Sequence, residues 1–295
     1  MSSWPAGAVT AALVVLAVPY VVGYLTLSRL ARRHGHPRTV RRGRLFATVT
    51  AWTIAVVVLS GRWEAVAGGS FTATTVSQLA LMVAVPPLVL AGAPWMALVR
   101  GVPARLRSRG RSLTITRLAV AVVAVADRPW LAWLAVTTSL WLAYLPGPYA
   151  TAAGNPAART AVQLATLVSG VWWWSTVMDS PPHHARLDAV RMILPQLAIM
   201  LNGWILATWL MYTSQLVDHP ALAAGGLLWG MGPLDDQRFG ASLIWTLGTL
   251  PYGAAIAPRA YRWLASDDHD WRLERHAFAS WKDREPRRLQ AGPTP

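Results

Sequence analysis

The chain has 295 residues, of which 54% are hydrophobic and only 14% charged, and its formal net charge is +14. Soluble domains carry roughly a quarter charged residues, so this composition indicates a membrane protein and argues against a basic, nucleic-acid-binding domain. Because the chain has no cysteine, disulfides, thiolate metal sites and cysteine nucleophiles are excluded.

Seven apolar stretches are predicted to be transmembrane helices: residues 6–27, 45–59, 71–90, 129–145, 160–177, 192–212 and 239–257. A helix needs about 20 apolar residues to cross a bilayer, and lipid offers an unpaired backbone no hydrogen-bond partner. The segment from Leu118 to Ala126 is too short to cross, and is either interfacial or an extension of the fourth helix. The basic flank that follows the first stretch predicts a retained helix rather than a cleaved signal peptide.

We therefore expect an all-α, polytopic bundle of about seven transmembrane helices in residues 1–265, followed by a charged, partly disordered cytoplasmic tail at residues 266–295. Arginine is concentrated in three regions, at residues 29–44, 100–117 and 259–275. The connectors that follow the second, fourth and sixth stretches contain only Arg62, Arg159 and Arg238. The positive-inside rule then places the amino terminus outside and the carboxyl terminus in the cytoplasm. The predicted location is the inner (plasma) membrane, with multiple passes and the lipid bilayer as first partner.

The third stretch contains the pair Pro86-Pro87. Two prolines remove two amide donors from a helix, so we expect a kink and carbonyl groups that need partners from neighbouring helices. The kink is either purely structural or shapes a cavity.

A group of polar residues is predicted at similar depth on the outer side of the bundle. Thr74 and Gln78 share a helix face, as do Arg159 and Gln163, and Tyr144 ends the fourth stretch. Polar side chains in a membrane should face the bundle interior. They either form interhelical hydrogen bonds or line a site open to the outside.

Other polar clusters give weaker signals. His183 and His184, with Asp179 and Asp188, are typical of a solvated loop. The residues Asp218, His219, Asp235 and Asp236 are a weak candidate for a cation site. Nucleophile motifs, phosphate loops and metalloprotease signatures are absent from the sequence, so we expect no catalytic residues and no enzyme activity.

Several short motifs follow one another along the chain in a characteristic order. They are Ser77–Pro94, with Gln78, Met82, Pro86-Pro87 and Gly92-Ala93-Pro94; Leu140-Trp141-Leu142, Leu145-Pro146 and Tyr149; Gly170-Val171-Trp172-Trp173-Trp174; and Trp229-Gly230, Pro233-Leu234-Asp235-Asp236-Gln237, Ile244-Trp245 and Gly248. Together they resemble bacterial CtaG-type cytochrome c oxidase assembly factors over roughly residues 40–265. We take Pro86, Pro87, Trp173, Trp174, Asp236, Gln237 and Trp245 as its structural-motif residues.

The resemblance implies a membrane protein that helps supply copper to the oxidase, with oxidase subunits as partners. The presumed histidine ligands of that family correspond here to Thr74, Gln78, Tyr144, Arg159 and Gln163. Hydroxyl, amide and guanidinium groups are poor copper ligands, so we expect no metal at these positions and no cofactor; copper is implied by the resemblance alone. Thioether ligation by Met82, Met211 and Met231 is a fallback, although methionine in an apolar helix is usually filler.

Two functions are compatible with these features. The first is a membrane-embedded assembly factor, or chaperone-like protein, for cytochrome c oxidase, with the copper-handling role reduced or lost. The alternative is a transporter of a small polar or anionic solute, with Arg159 as the attracting charge. Against the transporter, neither an inverted repeat nor a clearly placed intramembrane acid is apparent in the sequence.

Overall fold

The structure is a computed structural model that describes residues 4–33, 42–60, 63, 69–93, 97, 128–178, 189–217, 230–257, 260, 261 and 264. Within these ranges the chain forms helices and no strand. The main helices are α1 (Trp4–Arg33), α2 (Arg42–Val58), α3 (Phe71–Gly92), α4 (Pro129–Tyr144), α5 (Pro146–Gly154), α6 (Pro156–Val177), α7 (Ala189–Tyr212) and α8 (Pro233–Thr246).

The predicted all-α class is confirmed for the described residues, and a helix occupies each of the seven predicted stretches. The seventh differs from the prediction: α8 begins at Pro233, ends at Thr246, and is separated by a turn at 247–249 from a further helical stretch at 250–257. Pro251 accounts for part of the break, because it has no amide hydrogen to donate to a carbonyl four residues earlier. Two helices, Phe71–Gly92 and Met192–Tyr212, are long and apolar enough to cross a membrane by length and composition.

Several expectations concern segments outside the described residues. These are the tail at 266–295, the segment from Leu118 to Ala126, the pair His183-His184 with Asp179 and Asp188, and the residues Asp218 and His219. Most of the arginines that set the predicted orientation, including all those at 100–117, also lie outside the described residues. The expectations for these segments stay predictions.

Helix α5 is a short element that the sequence analysis did not anticipate. Proline occupies its first turn and the first turn of α6, where the missing amide hydrogen costs nothing. Between them Asn155 accepts hydrogen bonds from the backbone of Ala157 and Ala158, at 2.9 and 3.4 Å, and so caps α6. The chain therefore turns sharply between α5 and α6 rather than forming an irregular loop.

Helix α3 accommodates Pro86-Pro87 by changing its winding. Residues Ala80–Ala84 form a π-helical turn, and the prolines begin the α-helical segment that follows. The carbonyl of Met82 lacks its usual donor, because that donor would be the amide of Pro86. The indole Nε1 of Trp174 on α6 donates to this carbonyl at 3.1 Å, so the neighbouring helix supplies the expected partner.

The core holds both aromatic and polar side chains. Its largest fully buried residues include Trp173, Tyr144, Tyr252 and Phe71. The rings of Trp174 and Tyr252 stack at 5.3 Å with an interplanar angle of 11°. Helix α6 is central to this arrangement, because its buried face packs against both α3 and α4.

Candidate functional site

The first turn of α3 is held by a carboxylate from α8. Asp236 is 1% exposed, and its Oδ2 accepts from the backbone amide of Phe71 at 2.7 Å. Its Oδ1 accepts from the Ser70 hydroxyl at 3.0 Å and the Thr72 amide at 3.3 Å. A helix begins with unpaired amide hydrogens and a positive dipole end, so a carboxylate there satisfies both. This contact fixes where the polar residues of α3 lie.

Close packing of α8 against α3 reinforces the carboxylate contact. Gly240 lies so near α3 that an added Cβ would come within 2.5 Å of the Phe71 ring and 3.2 Å of the Thr75 hydroxyl. The rings of Phe71 and Tyr144 lie 5.7 Å apart, and those of Phe71 and Tyr149 lie 5.6 Å apart. The end of α4, the start of α5 and the start of α3 therefore meet, and we call this region the Phe71 end of the bundle.

Helices α3 and α6 are in close contact in the part of α3 that follows Gln78. A Cβ added to Gly170 would lie 3.0 Å from both the Met82 carbonyl oxygen and Pro86. Helix α6 thus packs against residues 80–92 of α3. Gln78 precedes this contact on α3, and Gln163 precedes Gly170 by seven residues on α6.

Three of the five predicted pocket residues are buried. Gln78 is 7% exposed, Gln163 is 3% exposed and Tyr144 is fully buried. The amide oxygens of Gln78 and Gln163 have no hydrogen-bond partner among the described residues. A buried polar oxygen without a partner is costly, so each calls for a physical explanation.

The other two predicted residues have local partners in the structure. The half-buried Thr74 donates its hydroxyl to the Ser70 carbonyl at 3.1 Å, within its own helix. The half-buried Arg159 donates to the carbonyls of Ala152 and Ala153, at 3.1 and 2.8 Å. Those carbonyls belong to the last turn of α5, where a cation is favourable. Arg159 therefore stabilises the α5–α6 turn.

Thr75 is a buried polar residue of α3 that the sequence analysis did not single out. It is fully buried, and its hydroxyl lies beside the hydroxyl of Tyr144. Neither hydroxyl makes a hydrogen bond of normal geometry within the described part of the chain. The sequence alone could not choose between the two threonines. Thr74 lies four residues before Gln78 and Thr75 lies three residues before it, and both spacings place two side chains on one helix face.

The structural-motif residues hold helix ends and helix crossings. Gln237 is fully buried; its Oε1 accepts from the Val217 amide at 2.9 Å, and its Nε2 donates to the carbonyls of Leu210 and Gln215 at 3.3 and 3.2 Å. It thus joins α8 to the end of α7. Trp245 is 39% exposed and packs its ring 5.7 Å from that of Trp204.

The buried oxygens at and beside the predicted pocket positions do not suit copper. They are two amide oxygens and two hydroxyl oxygens, from Gln78, Gln163, Thr75 and Tyr144. Copper in proteins prefers imidazole, thiolate and thioether ligands. The carboxylate of Asp236 already accepts three hydrogen bonds, and Asp235 pairs with Arg238 at 3.6 Å on the surface. The described residues contain no group of three or more His, Asp or Glu side chains that could hold a metal ion.

The methionines considered as thioether ligands are placed as packing residues. Met82 is buried in the main hydrophobic cluster, and Met211 packs against that cluster. Met231 is half-buried in the segment before α8. These positions are typical of methionine used to fill a core.

Comparison with known proteins identifies a family. Residues 22–266 match the model of the cytochrome c oxidase caa3 assembly factor family. Uncharacterized proteins of Mycobacterium bovis and Mycobacterium tuberculosis are each 24% identical over 279 residues, which is 93% of this chain and 41% of each relative. The chain thus spans about two fifths of the length of these curated relatives. No solved structure matches. Because the family match covers most of the chain, the protein belongs to the cytochrome c oxidase caa3 assembly factor family.

Proposed function

We propose that this protein is a membrane-embedded, non-enzymatic assembly factor for cytochrome c oxidase. In this proposal seven helices span the plasma membrane, with the amino terminus outside and the carboxyl terminus in the cytoplasm. The protein acts as a scaffold for oxidase subunits and does not carry copper at the positions of the presumed histidine ligands. Family membership supports the assembly role.

The observation that carries the membrane placement is an inverted distribution of polarity. On the outer faces of the bundle, Val15 is 68% exposed on α1 and Leu194 is 75% exposed on α7. Inside the bundle, Thr75, Gln196 and Gln237 are fully buried. Large exposed apolar faces are costly in water and favourable in lipid, where polar groups are better placed inside.

The copper-free role is supported by the donor chemistry of the pocket. Amide and hydroxyl oxygens occupy positions that correspond to presumed histidine ligands of the family, and they bind copper weakly. A scaffold needs only a stable surface, and Asp236 and Gln237 supply rigid links between α3, α7 and α8.

A transporter has no such support. That alternative used Arg159 to attract an anion, and the structure directs this guanidinium at the carbonyls that end α5. We therefore advance the assembly role alone.

The proposal is tested by deleting the gene and recording oxidase absorption spectra of isolated membranes. We expect loss of the haem–copper oxidase signal and its recovery when the wild-type chain is returned. Added copper should not replace the protein, because a scaffold is not a copper source. Unchanged spectra would contradict the assembly role, and full rescue by copper would contradict the scaffold.

Topology is tested separately by reporter fusions after Arg44, Arg111 and Arg259. All three junctions are expected in the cytoplasm, because each belongs to an arginine-rich region. A periplasmic or external reporter at any of them would contradict the proposed orientation.

A further inference from the structure

One face of α7 is exposed, while the opposite face packs into the bundle. Ile199, Leu206 and Leu210 belong to the main hydrophobic cluster, and α7 packs against α4 and α8. The exposed side chains recur every three or four residues, as one helix face requires. We call this set the α7 face; it consists of Leu197, Leu201, Trp204, Ile205, Thr208 and Tyr212.

Trp204 lies near the middle of the apolar part of α7. That part is Met192–Tyr212, and its central residue is Asn202. At 1.5 Å per residue, Trp204 is about 3 Å from the midpoint, yet it is 45% exposed. Tryptophan and tyrosine concentrate at the two membrane–water interfaces, which agrees with the exposed Tyr212 at the end of the helix. The level of Trp204 calls for another explanation.

The α7 face presents unpaired hydrogen-bonding groups at this depth. Among the described residues, neither the indole Nε1 of Trp204 nor the hydroxyl of Thr208 has a hydrogen-bond partner. Thr208 is six residues, about 9 Å, from the midpoint, and half the hydrocarbon thickness is about 15 Å. Lipid tails offer neither donors nor acceptors, so each unpaired group is costly there. A protein surface that supplies partners would remove this cost.

We propose that the α7 face is the contact surface between two copies of this chain in the membrane. The inference rests on the membrane placement given under the proposed function. A two-fold symmetric contact brings one surface against itself, so that surface must carry both donors and acceptors. Trp204 can only donate, Thr208 can accept, and the two lie four residues apart on one helix face. Trp204 of each copy therefore donates to Thr208 of the other.

A second copy fits this face better than a helix of unrelated sequence. Copies that share one orientation in the membrane place the donor and the acceptor at matching depths by symmetry, whereas an unrelated helix would need both groups at those depths. Residues 192–212 carry no charge, so two copies do not repel each other along this face. The spacing of Leu197, Leu201, Trp204 and Thr208 suits the left-handed packing common between membrane helices.

Cysteine crosslinking in isolated membranes tests the contact with the full chain. The chain contains no cysteine, so single cysteines report neighbouring copies without background. Leu201→Cys and Thr208→Cys should form disulfide-linked dimers on oxidation with copper phenanthroline, because a two-fold contact brings Cα atoms within the roughly 4.4–6.8 Å that a disulfide needs. Val168→Cys is the matched control. Val168 is an exposed apolar residue near the middle of α6, and this variant should stay monomeric.

The hydrogen bonds are tested by the dimer dissociation constant in liposomes, measured by single-molecule photobleaching of the labelled chain. Thr208→Val removes the acceptor and keeps the shape of the side chain. It should raise the dissociation constant roughly tenfold or more, because two symmetric interhelical bonds are lost. Thr26→Val is the control, since this exposed threonine of α1 donates to the Val22 carbonyl of its own helix. Its dissociation constant should equal that of the wild type.

Equal crosslinking of Leu201→Cys, Thr208→Cys and Val168→Cys would overturn the proposal, because it would reflect random collisions. A membrane-bound chain that crosslinks at neither α7 position, or crosslinks only to a different protein, would overturn it as well. An unchanged dissociation constant in Thr208→Val would exclude the paired hydrogen bonds on which the contact is argued.

Failure of this proposal can be told apart from failure of the proposed function. A chain absent from the membrane fraction would contradict the membrane placement and the contact together. A chain that is present there as a monomer would contradict the contact alone. The oxidase spectra after gene deletion test the assembly role and do not depend on whether the chain forms a dimer.

Discussion

The carboxylate of Asp236 caps a helix that begins 165 positions earlier in the chain, because its Oδ2 accepts from the backbone amide of Phe71 at 2.7 Å. This contact joins α8 to the start of α3 and is fully buried. Gly240 of α8 lies against Phe71 and Thr75 in the same interface, so the carboxylate contact and this close packing together fix the start of α3 against α8.

Replacing Asp236 with alanine is expected to destabilise the protein by about 2–5 kcal/mol. The change leaves the buried amides of Phe71 and Thr72 without acceptors, and each unsatisfied donor costs about 1–3 kcal/mol. Denaturant unfolding in detergent micelles measures the difference. Asp235→Ala is the control, since the Asp235–Arg238 pair is on the surface and surface pairs contribute about 0–1 kcal/mol. Equal losses for both variants would contradict the capping role.

Replacing Trp174 with phenylalanine should cost more stability than the same change at Trp173. Both indoles are buried, but only Trp174 donates a described hydrogen bond, to the Met82 carbonyl. Both substitutions remove the same side-chain volume. The difference between their losses of unfolding free energy therefore reports the hydrogen bond, and we expect it to be about 1 kcal/mol or more. Thermal unfolding of the two variants under one condition tests this. A larger loss at Trp173 would show that the bond to the π-helical turn is unimportant.

Adding a methyl group at Gly170 should push α3 and α6 apart. In Gly170→Ala the new Cβ would lie 3.0 Å from the Met82 carbonyl oxygen and 3.0 Å from Pro86. Overpacking of this kind costs about 1–3 kcal/mol. Gly147→Ala is the matched control, because a Cβ there meets nothing within 4 Å. The control should be neutral or slightly stabilising in the same unfolding assay, since alanine favours a helix over glycine. Similar melting temperatures for both variants would contradict the close crossing.

Introducing histidine at Gln78 and Gln163 together is expected to create copper binding. Both positions are buried and correspond to presumed histidine ligands of the family, and imidazole is a good copper ligand where an amide is not. Metal analysis after dialysis against copper should find about one copper per chain in the double variant and none above background in the wild type. Stoichiometric copper in the wild-type protein would contradict the copper-free role. A double variant that folds without binding copper would contradict the assignment of these two positions to metal ligands of the family.

Much of the helical layout could be predicted from the sequence, because long apolar runs bounded by polar, proline-containing and glycine-containing connectors favour helices of that length. The predicted third stretch, 71–90, agrees with α3 at its start and to within two residues at its end. The seventh stretch was predicted less well, since the break at 247–249 depends on Pro251 and on local turns that hydropathy does not report. The resemblance to an oxidase assembly family rested on motif order, and the family match over residues 22–266 confirms it.

The sequence by itself determined which side chains were polar within apolar helices, and hence that Gln78, Tyr144 and Gln163 were expected to face the interior of the helix bundle. Only the tertiary structure decided between Thr74 and Thr75, because adjacent residues differ by about 100° around a helix and the neighbouring helices determine which one is enclosed. The same holds for Arg159, whose partners are the exposed carbonyls at the end of α5. Contacts such as that of Asp236 with Phe71 join distant segments, and no local pattern of residues encodes them.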